Sequence, residues 1–195
     1  MNIDILREAV EDHVGHLTEK EVTLTPLDCV VLAETVERSG EVILEFAAGW
    51  GVTTAVILAS MKDQKLITCE RQSKLHAPLS QLIGDRATFW KGNIEDFKAD
   101  WPAQVDLLVL DAEHTTTCAR FYIDNLWPLV RPGGYVWIHD MIDRPEITLR
   151  DEYFEVLNNL ELHGFRVLRH TAEDAIGVNG WTDMSRRNVN SLSTA

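Results

Sequence analysis

Paired cysteines are missing from this 195-residue sequence: Cys29, Cys69 and Cys118 are the three present, and they form no C-x-x-C motif. That pattern gives no zinc ribbon and no disulfide framework, and it suits thiols in a reducing compartment. Long apolar runs are missing too. None approaches the roughly 20 residues that a bilayer-spanning helix needs, so no membrane partner is expected. The opening residues, MNIDILREAVEDH, are acidic and amphipathic, whereas a secretory leader is basic and then apolar. A cytoplasmic protein is therefore expected. Positive charge is scarce, with 18 Lys and Arg against 31 Asp and Glu and a net charge of −13. Such a chain repels phosphate backbones, which speaks against nucleic acid as a partner. Repeats and low-complexity segments are absent. The length suits one domain with a substantial core. Oligomeric state is not written in these features, and a homo-oligomer stays open.

What is present is a change of pattern near residue 41. Before it, Ile3, Leu6, Val10 and Val14 recur at helical spacing. A second helix follows, with Thr25 as N-cap, Pro26 at its first position and Gly40 past its end. After it, apolar runs alternate with helical segments. The runs are VILEFA (42–47), KLITC (65–69), ATFW (87–90), VDLLVL (105–110), GYVWI (134–138), FRVLR (165–169) and AIGVN (175–179). Helical segments fall at about 52–61, 73–83, 115–130 and 148–163, with Thr115 and Thr148 as caps. Strands apolar on both faces and separated by helices imply a parallel sheet covered on both sides. Only HTAED joins the last two runs, so they are expected to form an antiparallel hairpin. The expected fold is α/β: a Rossmann-like, doubly wound, mostly parallel sheet ending in that hairpin. Residues 1–40 would pack on the core or form a lid, 41–181 would be the main domain, and 182–195 a frayed polar tail.

In an open α/β sheet, ligands bind beyond the carboxyl ends of the strands. Five successive ends here carry glycine or a polar group: Gly49 and Gly51, then Glu70, Asn93, Asp111 with His114, and His139 with Asp140. The glycines permit a tight turn that a ligand can approach closely, and the helix after them offers free N–H groups. Trp50 lies inside that turn and can line a pocket. Glu70 stands about 20 residues beyond the turn, the separation at which a carboxylate accepts the ribose hydroxyls of an adenosine. Asn93 is placed to bond an adenine edge, with Ile94 on the ring face. Asp111 and His114 can converge on one small volume, where a histidine serves as a base near neutral pH. Asp111, His139 and Asp140 are candidate ligands for Mg²⁺, which needs few protein carboxylates. His13, His16, His76, His163 and His170 lie away from these ends and read as surface residues.

A nicotinamide enzyme is the competing reading, but the turn Gly-Trp-Gly-Val-Thr-Thr lacks the third glycine of its motif, no Tyr-x-x-x-Lys pair exists, and no second domain is left over. LEFAAGWG, ITCER, WKGN, VDLLVLDAEH, LWPLVRPGGYVWIHD and FRVLRH…AIGVNG instead resemble the successive motifs of class I S-adenosylmethionine-dependent methyltransferases. The stretch from DLLVLDAEH to VWIHD is most similar to bacterial small-molecule O-methyltransferases, the macrocin-type sugar enzymes among them. The resemblance implies that the turn from Glu45 through Ala47 to Gly51 holds the methionine part of the cofactor. It also implies that Glu70 binds the ribose, that Asn93 and Ile94 contact adenine, and that Asp111 lies at the cofactor. His114 matches the base of the sugar enzymes. Asp111, His139 and Asp140 match the place where several relatives hold a divalent metal. Three departures stand out: Ala47 replaces the usual first glycine, His139 replaces an aspartate of catechol-type relatives, and their catalytic lysine is absent. The expected activity is methyl transfer from S-adenosylmethionine to the hydroxyl of a small-molecule acceptor, with or without Mg²⁺. A non-catalytic cofactor-binding or scaffold protein is the first alternative, and an NAD-dependent oxidoreductase the more remote one.

Overall fold

Alternation along the central strands decides how the sheet is covered. The computed structural model describes residues 24–72, 80, 83, 85–112, 115–139, 165–170 and 183–187, the last two segments as backbone. Strand β1 (Val42–Phe46) lies between β2 (Lys65–Glu70) and β4 (Val105–Leu110), with β3 (Ala87–Lys91) outside β2 and β5 (Val130–Ile138) outside β4. All five run parallel. Successive side chains of a strand point to opposite faces. Accordingly Ile43, Leu66, Leu107, Val109 and Trp137 enter one core cluster, and Leu44, Leu108, Leu110, Val136 and Ile138 enter the other. The first cluster is closed by helices α1 (Pro26–Arg38) and α2 (Val52–Ser60), through Val31, Leu32, Val36, Val56 and Ile57. The second is closed by α3 (Thr116–Phe121) and the turns that continue it, through Ala119, Tyr122, Leu126 and Trp127. This is the two-sided α/β arrangement expected from the sequence.

Local chemistry explains the helix bounds. Thr25 caps α1 and exchanges hydrogen bonds with Asp28, and Pro26 opens the helix without wasting an N–H. Thr115 caps α3 by accepting from Cys118 N at 3.1 Å. The helix expected over 115–130 is α-helical only to Phe121. A π-helical turn (Tyr122–Leu126) and a 3-10 turn (Trp127–Leu129) follow, because Pro128 has no N–H to continue the ladder.

Two expectations about the carboxyl-terminal region need correction. Strand β6 (Phe165–His170) is close to its expected position, and its expected partner, 175–179, lies outside the described residues. Its antiparallel partner is β7 (Asp183–Arg187), which sits between β5 and β6. The hairpin closed by HTAED is therefore not shown, and β7 falls within the segment expected to fray. The apolar-run criterion selects strands with covered faces and passes over a polar one held by its backbone ladder. The helices expected at 3–16 and 148–163, most of 73–83, and the run 175–179 lie outside the described residues.

The amino ends of β1, β4 and β5 are stapled by one side chain. Asp106, 8% exposed, accepts from Val42 N at 2.8 Å through Oδ2 and from Arg131 Nε through Oδ1. Gly40 passes so close that a Cβ there would lie 2.2 Å from Asp106 Oδ1. Glycine is needed at 40 for this close approach, while the helix before it ends on Ser39 in extended backbone. Asp106→Ala leaves the Val42 N–H without its acceptor and is expected to cost about 1–3 kcal/mol of unfolding free energy. Arg131→Ala, at a side chain 45% exposed, is expected to cost less than about 1 kcal/mol. Urea titration of both variants checks this order.

Candidate functional site

Where β1 leaves the sheet, the chain makes three left-handed steps in five residues: Ala47 (φ 64°), Gly49 (φ 54°) and Gly51 (φ 87°). Two of these positions suit glycine, and alanine at the third is strained by roughly 1–2 kcal/mol. Hydrogen bonds hold the turn: Ala48 N donates to Cys69 O at 3.0 Å, and Gly51 N to Ala48 O at 2.8 Å. Gly49 N donates to Glu70 Oε2 at 2.9 Å, while Glu70 Oε1 accepts from Gln72 N at 2.7 Å. A Cβ on Gly49 would meet nothing within 4 Å, so the turn faces open space. Gly51 is the N-cap of α2 and brings no side chain to it, which leaves the first N–H groups of that helix for a ligand. Trp50 is half-buried and packs with Ala48 and Phe89.

Under the turn lies Glu45, fully buried in mid-strand. Register places it opposite Thr68. Its Oε2 accepts from Thr68 Oγ1 at 2.5 Å and from Thr54 Oγ1 at 2.7 Å, while Oε1 meets no hydrogen-bond geometry among the described residues. Burial pushes the carboxyl above its ordinary value of 4.5; hydroxyls of Thr68, Thr54 and Thr53 oppose the shift, and the charge of Asp111 adds to it. Glu45 thus braces the turn from below with no exposed surface of its own.

The next two strand ends meet directly. Asp111 follows β4 and His139 follows β5, and His139 N donates to Leu110 O at 3.0 Å. The imidazole, 1% exposed, stacks on Trp137 with ring centroids 5.6 Å apart. Its Nδ1 is 3.0 Å from Asp111 Oδ1, and its Nε2 is 3.9 Å from Oδ2 of the buried Asp28 on α1. At the third end, Asn93 is exposed and precedes the 3-10 segment Ile94–Asp100. Ile94 itself is 1% exposed and packed in the core. His114 and Asp140 lie outside the described residues. The structure thus gathers Glu45, Ala47, Gly49, Trp50, Gly51 and Glu70 around one turn, and pairs Asp111 with His139.

A sequence profile of the methyltransferase domain family matches residues 44–141, just over half of the chain. The chain belongs to that family. No curated protein matches this methyltransferase by sequence. Its fold is shared with solved structures of low identity. One is the O-methyltransferase TomG from Streptomyces achromogenes, involved in tomaymycin synthesis and solved in complex with SAM: TM-score 0.70 and 15% identity over 96% of this chain and 91% of that one. A second is the O-methyltransferase from Bacillus cereus in complex with SAH, with TM-score 0.68 and 16% identity over 94% and 90% of the two chains. A third is the SAH-bound Podospora anserina methyltransferase PaMTH1, with TM-score 0.68 and 15% identity over 95% and 88%.

The described part of the metal set does not suit Mg²⁺. That ion takes oxygen ligands and keeps several waters, whereas His139 is buried with one ring nitrogen toward Asp111 and the other toward Asp28. Among the described residues no three His, Cys, Asp or Glu side chains are grouped to hold a metal. Sequence reading passed over Thr54, Thr68 and Asp28. The Thr53–Thr54 pair after Gly51-Val52 was a usable signal for the first, and an acid on the mostly apolar face of α1 for the last.

Two outcomes follow for this methyltransferase. Ala47→Gly is expected to hold or raise stability by up to about 1 kcal/mol, since relief of left-handed strain outweighs the added chain entropy. Thermal unfolding checks it, and a clear loss would contradict the strained turn. For Glu45 the folded pKa is raised, so its stabilising effect is complete below about pH 4.5 and fades as pH climbs toward the folded value. Glu45→Gln is therefore expected to gain stability relative to wild type as pH rises above that point, by at most about 1.4 kcal/mol per unit. Urea midpoints measured across pH check the sign.

Proposed function

We propose that the protein transfers a methyl group from S-adenosylmethionine to a hydroxyl oxygen of a small molecule. The observation that carries this reading is the hydrogen bond from Gly49 N to Glu70 Oε2. It ties a glycine turn open to a ligand to an acid at the next strand end. A carboxylate has about four acceptor sites. Glu70 holds Gly49 N through one oxygen and Gln72 N through the other, which orients the carboxylate as an acceptor for ribose hydroxyls. The side-chain-free start of α2 suits the carboxylate of the methionine part. Family membership supports methyl transfer, and O-methyltransferases among the structural neighbours support oxygen as acceptor.

When bound, the sulfonium supplies an already activated methyl group. The chain's own task is to align the acceptor, exclude water and take up a proton. Asp111, fixed through Oδ1 by His139 and partly exposed, is one base candidate. His114, on the loop that follows β4, is the other. With the described part of the metal set unsuited to Mg²⁺, proton removal is assigned to these side chains. The net charge of −13 favours a small acceptor over nucleic acid.

Calorimetric titration with S-adenosylmethionine and S-adenosylhomocysteine tests the cofactor. Both are expected to bind, and binding of neither would sink the reading. Glu70→Gln keeps an acceptor for Gly49 N but loses its charge, and is expected to weaken both by roughly tenfold to a hundredfold, or about 1.5–3 kcal/mol. Methyl transfer to a panel of phenols and sugars is expected to resist a chelator. It should fall by about 10²–10⁴ in Asp111→Asn or His114→Ala, whichever residue is the base. Unchanged transfer in both variants would overturn the assignment of the base.

A further inference from the structure

Asp28 is buried more deeply than its capping role requires. A capping box forms at a solvated helix start as readily as at a buried one, and a carboxylate removed from water is costly unless partnered. Yet Asp28 is 0% exposed. Its Oδ2 accepts from Thr25 N at 3.0 Å and Thr25 Oγ1 at 2.7 Å, and the same atom lies 3.9 Å from His139 Nε2. Strand alternation explains the encounter. Trp137 belongs to the α1 face of the sheet, as do Leu107 and Val109. His139 and Asp111 follow with the same parity, so both turn toward α1.

We propose that Asp28 is a positioning residue, whose juxtaposition with His139 Nε2 lets α1 fix the imidazole, and through it Asp111, at the cofactor end of the sheet. Contacts on the backbone and on the imidazole of His139 act together here. Its backbone N bonds Leu110 O, its face rests on Trp137, Nδ1 meets Asp111, and Nε2 faces Asp28. Without Asp28 the ring keeps Trp137 and Asp111, but loses the carboxylate that faces Nε2. Asp111 would then lose the fixed partner for Oδ1. That Asp111 matters for chemistry rests on the methyltransferase reading. The geometric claim about Asp28 and His139 does not.

The test uses the full chain labelled with ¹⁵N-histidine. Long-range ¹H–¹⁵N correlation reads both ring nitrogens of His139, assigned by their loss in His139→Asn. Asp28→Asn, which keeps an acceptor for Thr25 but removes the charge, is expected to shift both nitrogens. Asp28→Glu keeps charge and cap but moves the carboxylate by one methylene, and is expected to shift them too, so it serves if Asp28→Asn does not fold. Val36→Ala, a cavity about 12 Å along the same helix from Asp28, loosens α1 and is expected to leave them in place. The proposal is overturned if the folded Asp28 variants leave the nitrogens where wild type has them, or if Val36→Ala moves them alike. S-adenosylhomocysteine binding is measured alongside. It is expected to stay within about twofold in Asp28→Asn, because the bonds that hold the glycine turn, from Gly49 N to Glu70 and from Ala48 N to Cys69 O, do not involve Asp28, and a larger loss would count against a role confined to His139 and Asp111. Failure of wild type to bind would instead strike the methyltransferase reading, with the nitrogen shifts still deciding the role of Asp28.

Discussion

The hydrogen bond from Gly49 N–H to the Glu70 carboxylate is the constraint on which the carboxyl end of the sheet depends. It joins the turn after β1 to the tip of β2, two places that the parallel ladder between those strands has already brought side by side. With that bond made, the acid is oriented before any ligand arrives, and the turn cannot swing away from it. Charge-assisted bonds to backbone N–H groups are stronger than neutral ones. A buried carboxylate with this partner is therefore both satisfied and directional. Gln72 N on the other oxygen completes the fork.

Below this bond, Glu45 performs the opposite service. Glu70 holds the turn itself, whereas Glu45 has no exposed surface and gathers Thr68 from β2 and Thr54 from α2 around one oxygen. An acid in the middle of an apolar strand is expensive by itself. It is tolerated because sheet register puts a hydroxyl opposite it and the first turn of α2 supplies a second. Strand, turn and helix are locked at their junction, so the left-handed steps at 47, 49 and 51 start from a fixed platform.

Much of this was legible in the sequence, for identifiable reasons. Gly49, Gly51 and Glu70 stand out because glycine and acid interrupt strongly apolar runs at defined separations. The five parallel strands stand out because both faces of each are covered, which leaves unbroken apolar stretches. The carboxyl-terminal pairing did not stand out, since Asp183–Arg187 is polar and its place in the sheet comes from backbone bonding to β5 and β6. Strand β5 begins at Val130, ahead of the expected Gly134, because Pro132 and the glycines after it read as a turn but are accommodated near a register shift at the strand's start. Asp28 was hidden for a different reason. Its importance depends on strand parity at His139 and on the docking of α1, and no local window contains both.

Ala47 raised the question of whether a methyl group in the glycine turn spoils the cofactor loop. Left-handed backbone at alanine persists only where surrounding contacts over-determine it. Here they do, since the residues on either side are pinned by Cys69 O, Glu70 Oε2 and the Gly51–Ala48 bond. The open space at this turn lies in front of Gly49, two residues beyond the methyl group. A turn held this firmly has its ordering cost met during folding, so less is charged against ligand binding. The alanine therefore marks how strongly the neighbouring bonds dictate the turn: they impose on it a conformation that its own preferences oppose.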